Sequence, residues 1–290
     1  MITLVLLFIS PSLTPQAIET SEKVSRQILI GTNTNVIHEA VNHTIKYANQ
    51  YINKAESIPV LMYHHILPQK DMTQYGWNNN SAVISLENFT EQMKYLYDNN
   101  YHTATLDELE RYLKGEILLP KKTVVITFDD GYQSNVVNAY PVMKQYGQRG
   151  TIFIIGKSSD KPQVAYTPQN TSAISVEIMD DYTDVFEYGS HTYDMHEMEN
   201  GKTRIEYYTQ DQIKEDLLLN KTLFPNDTIA YPHGRYNGNV QNVLKELDFK
   251  LGFTIKKGYT NKGTSIYEIP RINIGPEISL DKYIQIITNF

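Results

Sequence analysis

The sequence contains no cysteine, which excludes disulfide bonds, thiolate nucleophiles and cysteine-ligated metal sites. It also has little tryptophan, a single residue among 290, although tyrosine occurs 22 times. It has no excess of positive charge either, since the formal net charge is -7. That balance argues against nucleic acid as a partner.

Long apolar runs are absent as well. The most apolar stretch, Ile2 to Ile9, covers about eight residues and is too short to span a bilayer. It resembles the apolar region of a signal peptide, so we expect a secreted or cell-surface protein. The sequence thus predicts an apolar leader over residues 1–16, a polar and partly helical spacer over residues 17–57, and a catalytic domain over residues 58–290.

Strand-like and helix-like patterns alternate through that domain. The strand-like runs begin at Ile58, Thr123, Thr151, Phe186, Thr228, Leu251 and Ile266. The helical patterns cover 87–99, 106–113, 132–146, 175–182, 211–223, 240–247 and 280–287. This alternation predicts an α/β fold with a parallel sheet, either a (β/α) barrel or an open doubly wound sheet.

Residues with acid–base and metal-binding side chains follow several of these strands directly. They are His64, Asp129, Asp130, His191 and His233. Asp-Asp-Gly is also a sequence that favours turns, and a single histidine at the end of a strand usually has a structural role. Because the carboxyl ends of parallel strands share one face, however, several such residues together predict an active site there.

The spacing of His191 and His196 allows one metal to bind both only if the segment is irregular. Five residues on a helix turn through about 140°, which would separate the two rings. Two imidazoles and one carboxylate form the ligand set of a hydrolytic zinc site, and nickel, cobalt or manganese could also occupy it. Only one of the two aspartates is needed as a ligand, and the other is then a candidate general base. His64 is a candidate general acid, since histidine exchanges protons near neutral pH.

Three segments resemble the first three motifs of the polysaccharide deacetylases, which are also called carbohydrate esterase family 4 or the NodB-homology fold. They are Thr127-Phe128-Asp129-Asp130-Gly131, Ser190-His191-Thr192 with His196, and Tyr231-Pro232-His233-Gly234. The resemblance implies a distorted (β/α) barrel and metal-dependent removal of acetyl groups from a sugar polymer. It also implies that Asp129 is the base and that Asp130, His191 and His196 bind the metal.

The chain departs from the common family pattern in three places. The histidine gap is five rather than four, Ala230 and His233 stand where an arginine and a tyrosine are usual, and the late Leu-x-His motif is missing. The early Met62-Tyr63-His64-His65 and the late Ile269-Pro270-Arg271-Ile272 resemble instead the branch that deacetylates poly-β-1,6-N-acetylglucosamine.

That similarity implies particular roles for residues near the reacting group. His64 would be the general acid, and Arg271 would replace the arginine that orients the base. His233 could offer its backbone N–H to the oxyanion, and Tyr231 and Pro232 belong to the same substrate-facing segment.

We therefore expect a metal-dependent N-deacetylase acting on a polymer such as poly-β-1,6-N-acetylglucosamine, peptidoglycan or chitin. An O-acetyl esterase on xylan or a related glycan is the alternative enzyme, and a sugar-binding domain without activity is the alternative outside catalysis. The expected partner is a polysaccharide, the expected cofactor a divalent metal, most often zinc. We expect a monomer that does not bind nucleic acid, and peripheral association with a membrane or cell wall is compatible with export.

Overall fold

The structure is a computed structural model that describes residues 54–288. The predicted leader and nearly all of the predicted spacer therefore lie outside the described residues. The chain divides into two units between Lys54 and Ala55, and the second unit is the one considered below.

The second unit alternates between strands and helices. The strands are β1 Val60–Tyr63, β2 His65–Leu67, β3 Val83–Ser85, β4 His102–Thr103, β5 Thr123–Phe128, β6 Gly150–Ile154, β7 Phe186–Ser190, β8 Met198–Glu199, β9 Lys202–Thr203, β10 Thr228–Ala230, β11 Leu251–Phe253 and β12 Ile272–Asn273. The α-helices are α1 Gln69–Tyr75, α2 Leu86–Asp98, α3 Leu106–Leu113, α4 Tyr140–Gln145, α5 Gly156–Ser159, α6 Arg204–Tyr207, α7 Gln210–Leu223, α8 Gly238–Glu246 and α9 Leu280–Thr288.

The main sheet has eight strands in the order β11-β10-β7-β6-β5-β1-β12, with β4 added to the first half of β5. All of its strand pairs are parallel. A further parallel bridge joins Phe253 to Ile269, just ahead of β12, so the two ends of the sheet approach each other. This curled parallel sheet with helices around it confirms the predicted distorted (β/α) barrel.

The sheet is buried on both faces, which explains why its strands read as continuous apolar runs. All six residues of β5 are buried. Along that strand Val125 belongs to one apolar cluster with Leu109 and Tyr112 of α3, whereas Ile126 belongs to another with Phe89 of α2. The two-residue period of a strand thus divides its side chains between two cores.

Two predicted elements differ from those observed. The helix expected over 132–146 instead contains a π-helical segment, Asn135–Ala139, followed by α4. Pro141 has no N–H to donate to the preceding turn, which favours the wider π-type pairing there. The long strand expected from Ile266 to Ile274 is reduced to β12, since Pro270 interrupts the ladder.

Short elements between β1 and α2 are not evident from the sequence pattern: β2, β3 and α1. Within residues 54–288, no helix combines the length and apolar character needed to cross a membrane.

The first residues of the described unit are anchored by α3. Ala55 is buried and its N–H donates to the Leu119 carbonyl at 2.8 Å. The Tyr112 hydroxyl lies 3.3 Å from the Ala55 carbonyl oxygen and 3.0 Å from that of Glu56. The structure therefore includes Ala55 and Glu56 in the folded unit, ahead of the predicted start at residue 58.

A chain shortened to begin at Ser57 should be less stable than one beginning at Lys54 by about 1–3 kcal/mol, because it leaves the buried Tyr112 hydroxyl without an acceptor. Urea unfolding of the two chains measures the difference. Tyr112→Phe in the longer chain serves as the control and should cost less, about 0.5–1.5 kcal/mol. Equal stability of the two shortened chains would show that these contacts contribute nothing.

Candidate active site

Side chains from four strand ends meet at one rim of the sheet. His64 follows β1, Asp129 and Asp130 follow β5, and His191 follows β7. His233 lies in a 3₁₀ turn, Pro232–Gly234, directly after β10. The register aligns these ends, since Tyr63 pairs with Phe128 and Ile229 pairs with Ser190.

Asp130, His191 and His196 form a compact group of metal-binding type. Their ligand atoms all lie within 4.8 Å of one another, and no second group of this kind occurs among residues 54–288. The Nε2 atoms of His191 and His196 lie 3.4 and 3.2 Å from the same Asp130 oxygen. The His191 Nδ1 lies 2.7 Å from the Ala230 carbonyl oxygen, so Nδ1 donates to the backbone and Nε2 is the nitrogen that faces Asp130.

This donor set fits a divalent cation. Two imidazole nitrogens and one carboxylate oxygen converge, and His191 has the backbone acceptor that orients metal-binding histidines. Burial alone would raise the pKa of Asp130, but hydrogen bonds from His191 and His196 hold that pKa well below its usual range. Burial lowers the pKa of His191, yet its bond to Asp130 and the charges of both aspartates raise it overall.

The segment from His191 to His196 is irregular, as the sequence predicts if both rings serve one site. Thr192 has a positive φ of 67°, and its hydroxyl accepts the Met195 N–H. The N–H groups of Tyr193 and Asp194 donate to the two oxygens of Asp216, each at 2.7 Å. Asp216 projects from α7 and thereby fixes the loop that carries His196.

Asp216 was missed by the sequence analysis, because an acidic residue inside a polar helical pattern looks like an ordinary surface position. It is in fact buried, and burial raises its pKa to about 6 despite the two backbone N–H donors.

Asp129 is buried and is hydrogen-bonded to Arg271 rather than to the two histidines. Both of its oxygens accept hydrogen bonds at 2.7 Å from the two terminal nitrogens of Arg271. Burial alone would raise the pKa of Asp129, but the charges of Arg271 and His191 lower it. The carboxylate is therefore ionised at neutral pH and held in one orientation.

His64 and His65 differ in environment although they are neighbours. His64 is partly exposed, its buried Nδ1 has no hydrogen-bond partner within residues 54–288, and it is close enough to both aspartates to lower their pKa values. His65 is buried, with Nδ1 2.5 Å from the Ser134 hydroxyl, and burial lowers its pKa to about 4. At neutral pH His65 is uncharged and has no proton to donate as an acid.

The segment after β10 contributes differently from the sequence prediction. The side chain of Tyr231 is fully buried, and its hydroxyl donates to the Tyr267 carbonyl at 3.0 Å. Pro232 is buried as well, so neither side chain faces a substrate. The His233 ring lies 4.4 Å from that of His196, and the backbone N–H of His233 has no hydrogen-bond partner among the described residues.

Arg271 lies in the protein interior. Its side chain is completely buried, and Nε donates to the Thr254 carbonyl. All of its contacts are with the protein interior, so it reaches a substrate only through Asp129. This agrees with the role that the family resemblance implies for it, orienting the Asp129 carboxylate.

Replacing Arg271 by methionine should lower the free energy of unfolding by about 3–5 kcal/mol at neutral pH, because Asp129 is left buried without a counter-charge. In the native chain the pKa of Asp129 is depressed, so the pair stabilises above the unfolded-state pKa of ~3.9. That stabilisation is lost as the pH falls through the lower native pKa. In Arg271→Met, burial raises the pKa of Asp129, so the penalty is greatest at neutral pH and is relieved on acidification.

Urea unfolding at about pH 5 and about pH 7.5 should therefore show a smaller difference between the two proteins at the lower pH. Lys94→Met removes an exposed partner of Asp98 and is the control, with little expected loss because solvent screens that pair. A large loss in Arg271→Met that is independent of pH would mean that packing, and not the ion pair, is responsible.

Known proteins resemble this chain in sequence over most of its length. A family profile described as "Polysaccharide deacetylase" matches residues 118–252. The Bacillus subtilis protein YxkH, named for the same family, is 32% identical over 236 residues, which is 78% of this chain and 74% of YxkH. A Staphylococcus aureus poly-β-1,6-N-acetyl-D-glucosamine N-deacetylase is 28% identical over 239 residues, covering 77% of this chain and 81% of the relative.

Solved structures agree with these sequence matches. IcaB from Ammonifex degensii superimposes with a TM-score of 0.66 and 25% identity, covering 81% of this chain and 97% of IcaB. The matched residues include the strands that carry Asp129, Asp130, His191 and His196. The chain therefore belongs to the polysaccharide deacetylase family and is a deacetylase of the hydrolase class.

Proposed function

We propose that this protein is a metal-dependent N-deacetylase that removes acetyl groups from a polymer of N-acetylglucosamine, with poly-β-1,6-N-acetylglucosamine as its substrate. The observation that carries the proposal is the arrangement of Asp130, His191 and His196 beside an ionised Asp129 and an unpaired His64 nitrogen. The Staphylococcus aureus relative, named for that polymer, supports the choice of substrate.

Asp130, His191 and His196 would hold the cation. When bound there, a divalent ion supplies Lewis-acid polarisation of a carbonyl group and makes hydroxide available near neutral pH. Zinc suits two imidazoles and one carboxylate best, and nickel, cobalt or manganese are accepted by similar ligands.

Asp129 would act on the attacking water. Its carboxylate is kept ionised by Arg271, so it can accept the proton that water loses as the oxygen attacks the acetyl carbon. Because a carboxylate offers about four lone-pair sites and Arg271 takes two, acceptor capacity remains for the water.

His64 would act on the leaving nitrogen. The carbon–nitrogen bond breaks as the ring donates a proton to that nitrogen, and the products are acetate and a free amine on the sugar. His64 suits this role better than its neighbour His65. Each has one buried ring nitrogen without a partner, but His64 is partly exposed, whereas His65 is buried and burial lowers its pKa to about 4. The backbone N–H of His233 is a candidate donor to the oxyanion that forms at the acetyl oxygen.

The proposal is tested by acetate release from oligomers of β-1,6-linked N-acetylglucosamine, chitin, peptidoglycan and acetylxylan. We expect release from the β-1,6 oligomer above all others and loss of activity when a chelator removes the metal. Asp130→Ala, His191→Ala and His196→Ala should each reduce bound metal from about one equivalent to almost none.

His102→Ala is the matched control for those variants. This histidine lies 3.0 Å from the Glu108 carboxylate, outside the metal-binding group, so the variant should keep both metal and activity. Release of acetate from acetylxylan alone would favour an O-acetyl esterase, and full metal occupancy in His196→Ala would remove His196 from the ligand set.

The two proton carriers can be separated by their substrates. An amide nitrogen must be protonated before it leaves, whereas an aryl oxide is a good leaving group without help. His64→Ala should therefore lower N-deacetylation by about 10²–10⁴-fold while sparing much of the hydrolysis of an aryl acetate. Asp129→Asn should impair both reactions, because both need the activated water.

The measurement is the ratio of the two activities in each variant, with metal content determined alongside. Neither residue is assigned as a ligand, so metal should remain bound in both. An unchanged ratio in His64→Ala would show that His64 contributes to stability rather than to protonation of the leaving group.

A further inference from the structure

A groove of about 520 Å³ opens in the connection between β2 and β3. Its lining consists of Tyr75, Gly76, Trp77, Asn79, Asn80 and Ser81. The volume falls within the ~300–1,000 Å³ of small-ligand sites. Two aromatic rings, two side-chain amides and a hydroxyl line it, and none of the six lining residues carries a charge.

Trp77 is held in a fixed position at this groove. It is half-buried, and its indole N–H donates to the Pro168 carbonyl at 3.1 Å. It packs against an apolar cluster formed by Leu67, Met72 and Val83. Because the Trp77 side chain is already held in place, it loses little conformational entropy when a ligand stacks on it.

Gly76 makes the turn that places the second aromatic ring beside the groove. Its φ of 78° lies in the left-handed region, and it links the end of α1 to the 3₁₀ turn that begins at Trp77. Tyr75 precedes it and is 36% exposed. Its hydroxyl accepts a hydrogen bond from Gln74, so no tertiary contact of that hydroxyl would be lost if its ring were removed.

Ring contacts connect the groove to the candidate active site. The Trp77 ring lies 5.4 Å from that of His65, and His65 lies 4.8 Å from Tyr132. Tyr132 in turn is near enough to Asp130 for that carboxylate, together with burial, to raise the pKa of its hydroxyl. The rings of His65 and Tyr132 thus lie between Trp77 and Asp130, which places the groove close to the candidate active site.

From this geometry we infer that the groove is a subsite for a neutral sugar unit of the polymer, next to the unit that is deacetylated. The inference rests on the proposed function. A pyranose has an apolar face of C–H groups, which stacks on aromatic rings, and a rim of hydroxyls, which pair with amides. The absence of charge in the lining fits an N-acetylated unit, which is neutral, better than a free amine.

The amides are available for such hydroxyls. The Asn80 Oδ1 accepts the Ala82 N–H at 2.9 Å, and its NH₂ group has no protein partner within residues 54–288. Asn79 is exposed at the groove. These groups can donate to sugar oxygens without breaking a contact that the fold needs.

Trp77 provides the test, because it is the only tryptophan in the chain and its fluorescence reports on this groove alone. The full chain carrying His64→Ala, which keeps the Asp129–Arg271 pair and should turn over about 10²–10⁴-fold more slowly, is titrated with a pentamer of β-1,6-linked N-acetylglucosamine. We expect a saturable change in Trp77 emission. No change at concentrations where the active enzyme is saturated with the same pentamer would overturn the subsite.

Tyr75→Ala refines the test. Loss of one stacking ring should raise the dissociation constant of the pentamer about 2- to 10-fold. It should raise KM for the pentamer by a similar factor while leaving hydrolysis of a small aryl acetate unchanged. Tyr97→Ala is the matched control, since Tyr97 is an exposed tyrosine on α2 away from the groove. It should change neither the dissociation constant nor KM for the pentamer.

Failure of the proposed function and failure of the proposed subsite give different results. If the native enzyme releases no acetate from any N-acetylglucosamine polymer, the proposed function is wrong. If it does release acetate but the pentamer leaves Trp77 emission and the Tyr75→Ala constants unchanged, the function stands and the subsite is wrong. Equal losses of activity on the pentamer and on the aryl acetate in Tyr75→Ala would also overturn the subsite, since they indicate a general structural effect.

Discussion

The buried pair between Asp129 and Arg271 is the interaction on which the rest of this structure depends. An ionised carboxylate alone in such an environment would cost several kcal/mol or take up a proton. Arg271 prevents both outcomes through two bonds of 2.7 Å, while its Nε donates to Thr254 and Nη1 to Thr127. The guanidinium thereby joins the ends of β5 and β11 to the segment that enters β12. One contact both brings the ends of the curled sheet together and fixes the candidate base.

Backbone strain at the rim follows from placing two aspartates in sequence with different partners. Asp130 has φ of 70°, which turns its side chain toward the histidines while Asp129 faces Arg271. Thr192 and His233 also have positive φ values, 67° and 51°. Each such residue costs about 1–3 kcal/mol and persists only where the surrounding structure enforces it. Here the buried parallel strands do so, and the two carboxylates have separate partners, Arg271 for Asp129 and the two histidines for Asp130.

Much of this arrangement can be predicted from the sequence, because strands of a parallel sheet expose their carboxyl ends together. Asp129, Asp130, His191 and His233 follow apolar runs, so their meeting needs no knowledge of distant contacts. Residues that act across the fold carry no such signal. Asp216 lies on a polar helix, and only the tertiary structure shows that it binds the backbone of the His191 loop. The direction of the Tyr231 side chain and the groove at Trp77 are equally invisible, because short connections have no periodicity.

Two departures from the common family pattern are physically linked in this chain. The five-residue gap makes the loop before His196 longer, and a longer loop needs additional support to hold its ring near Asp130. Asp216 supplies part of it by accepting two N–H groups from the middle of the loop. His233 supplies the rest: its Nε2 bonds the His196 carbonyl at 3.1 Å, and its ring lies against the His196 ring. The histidine that stands where the family usually has a tyrosine thus contacts both the backbone and the ring of His196, at the end of the loop with the wider spacing.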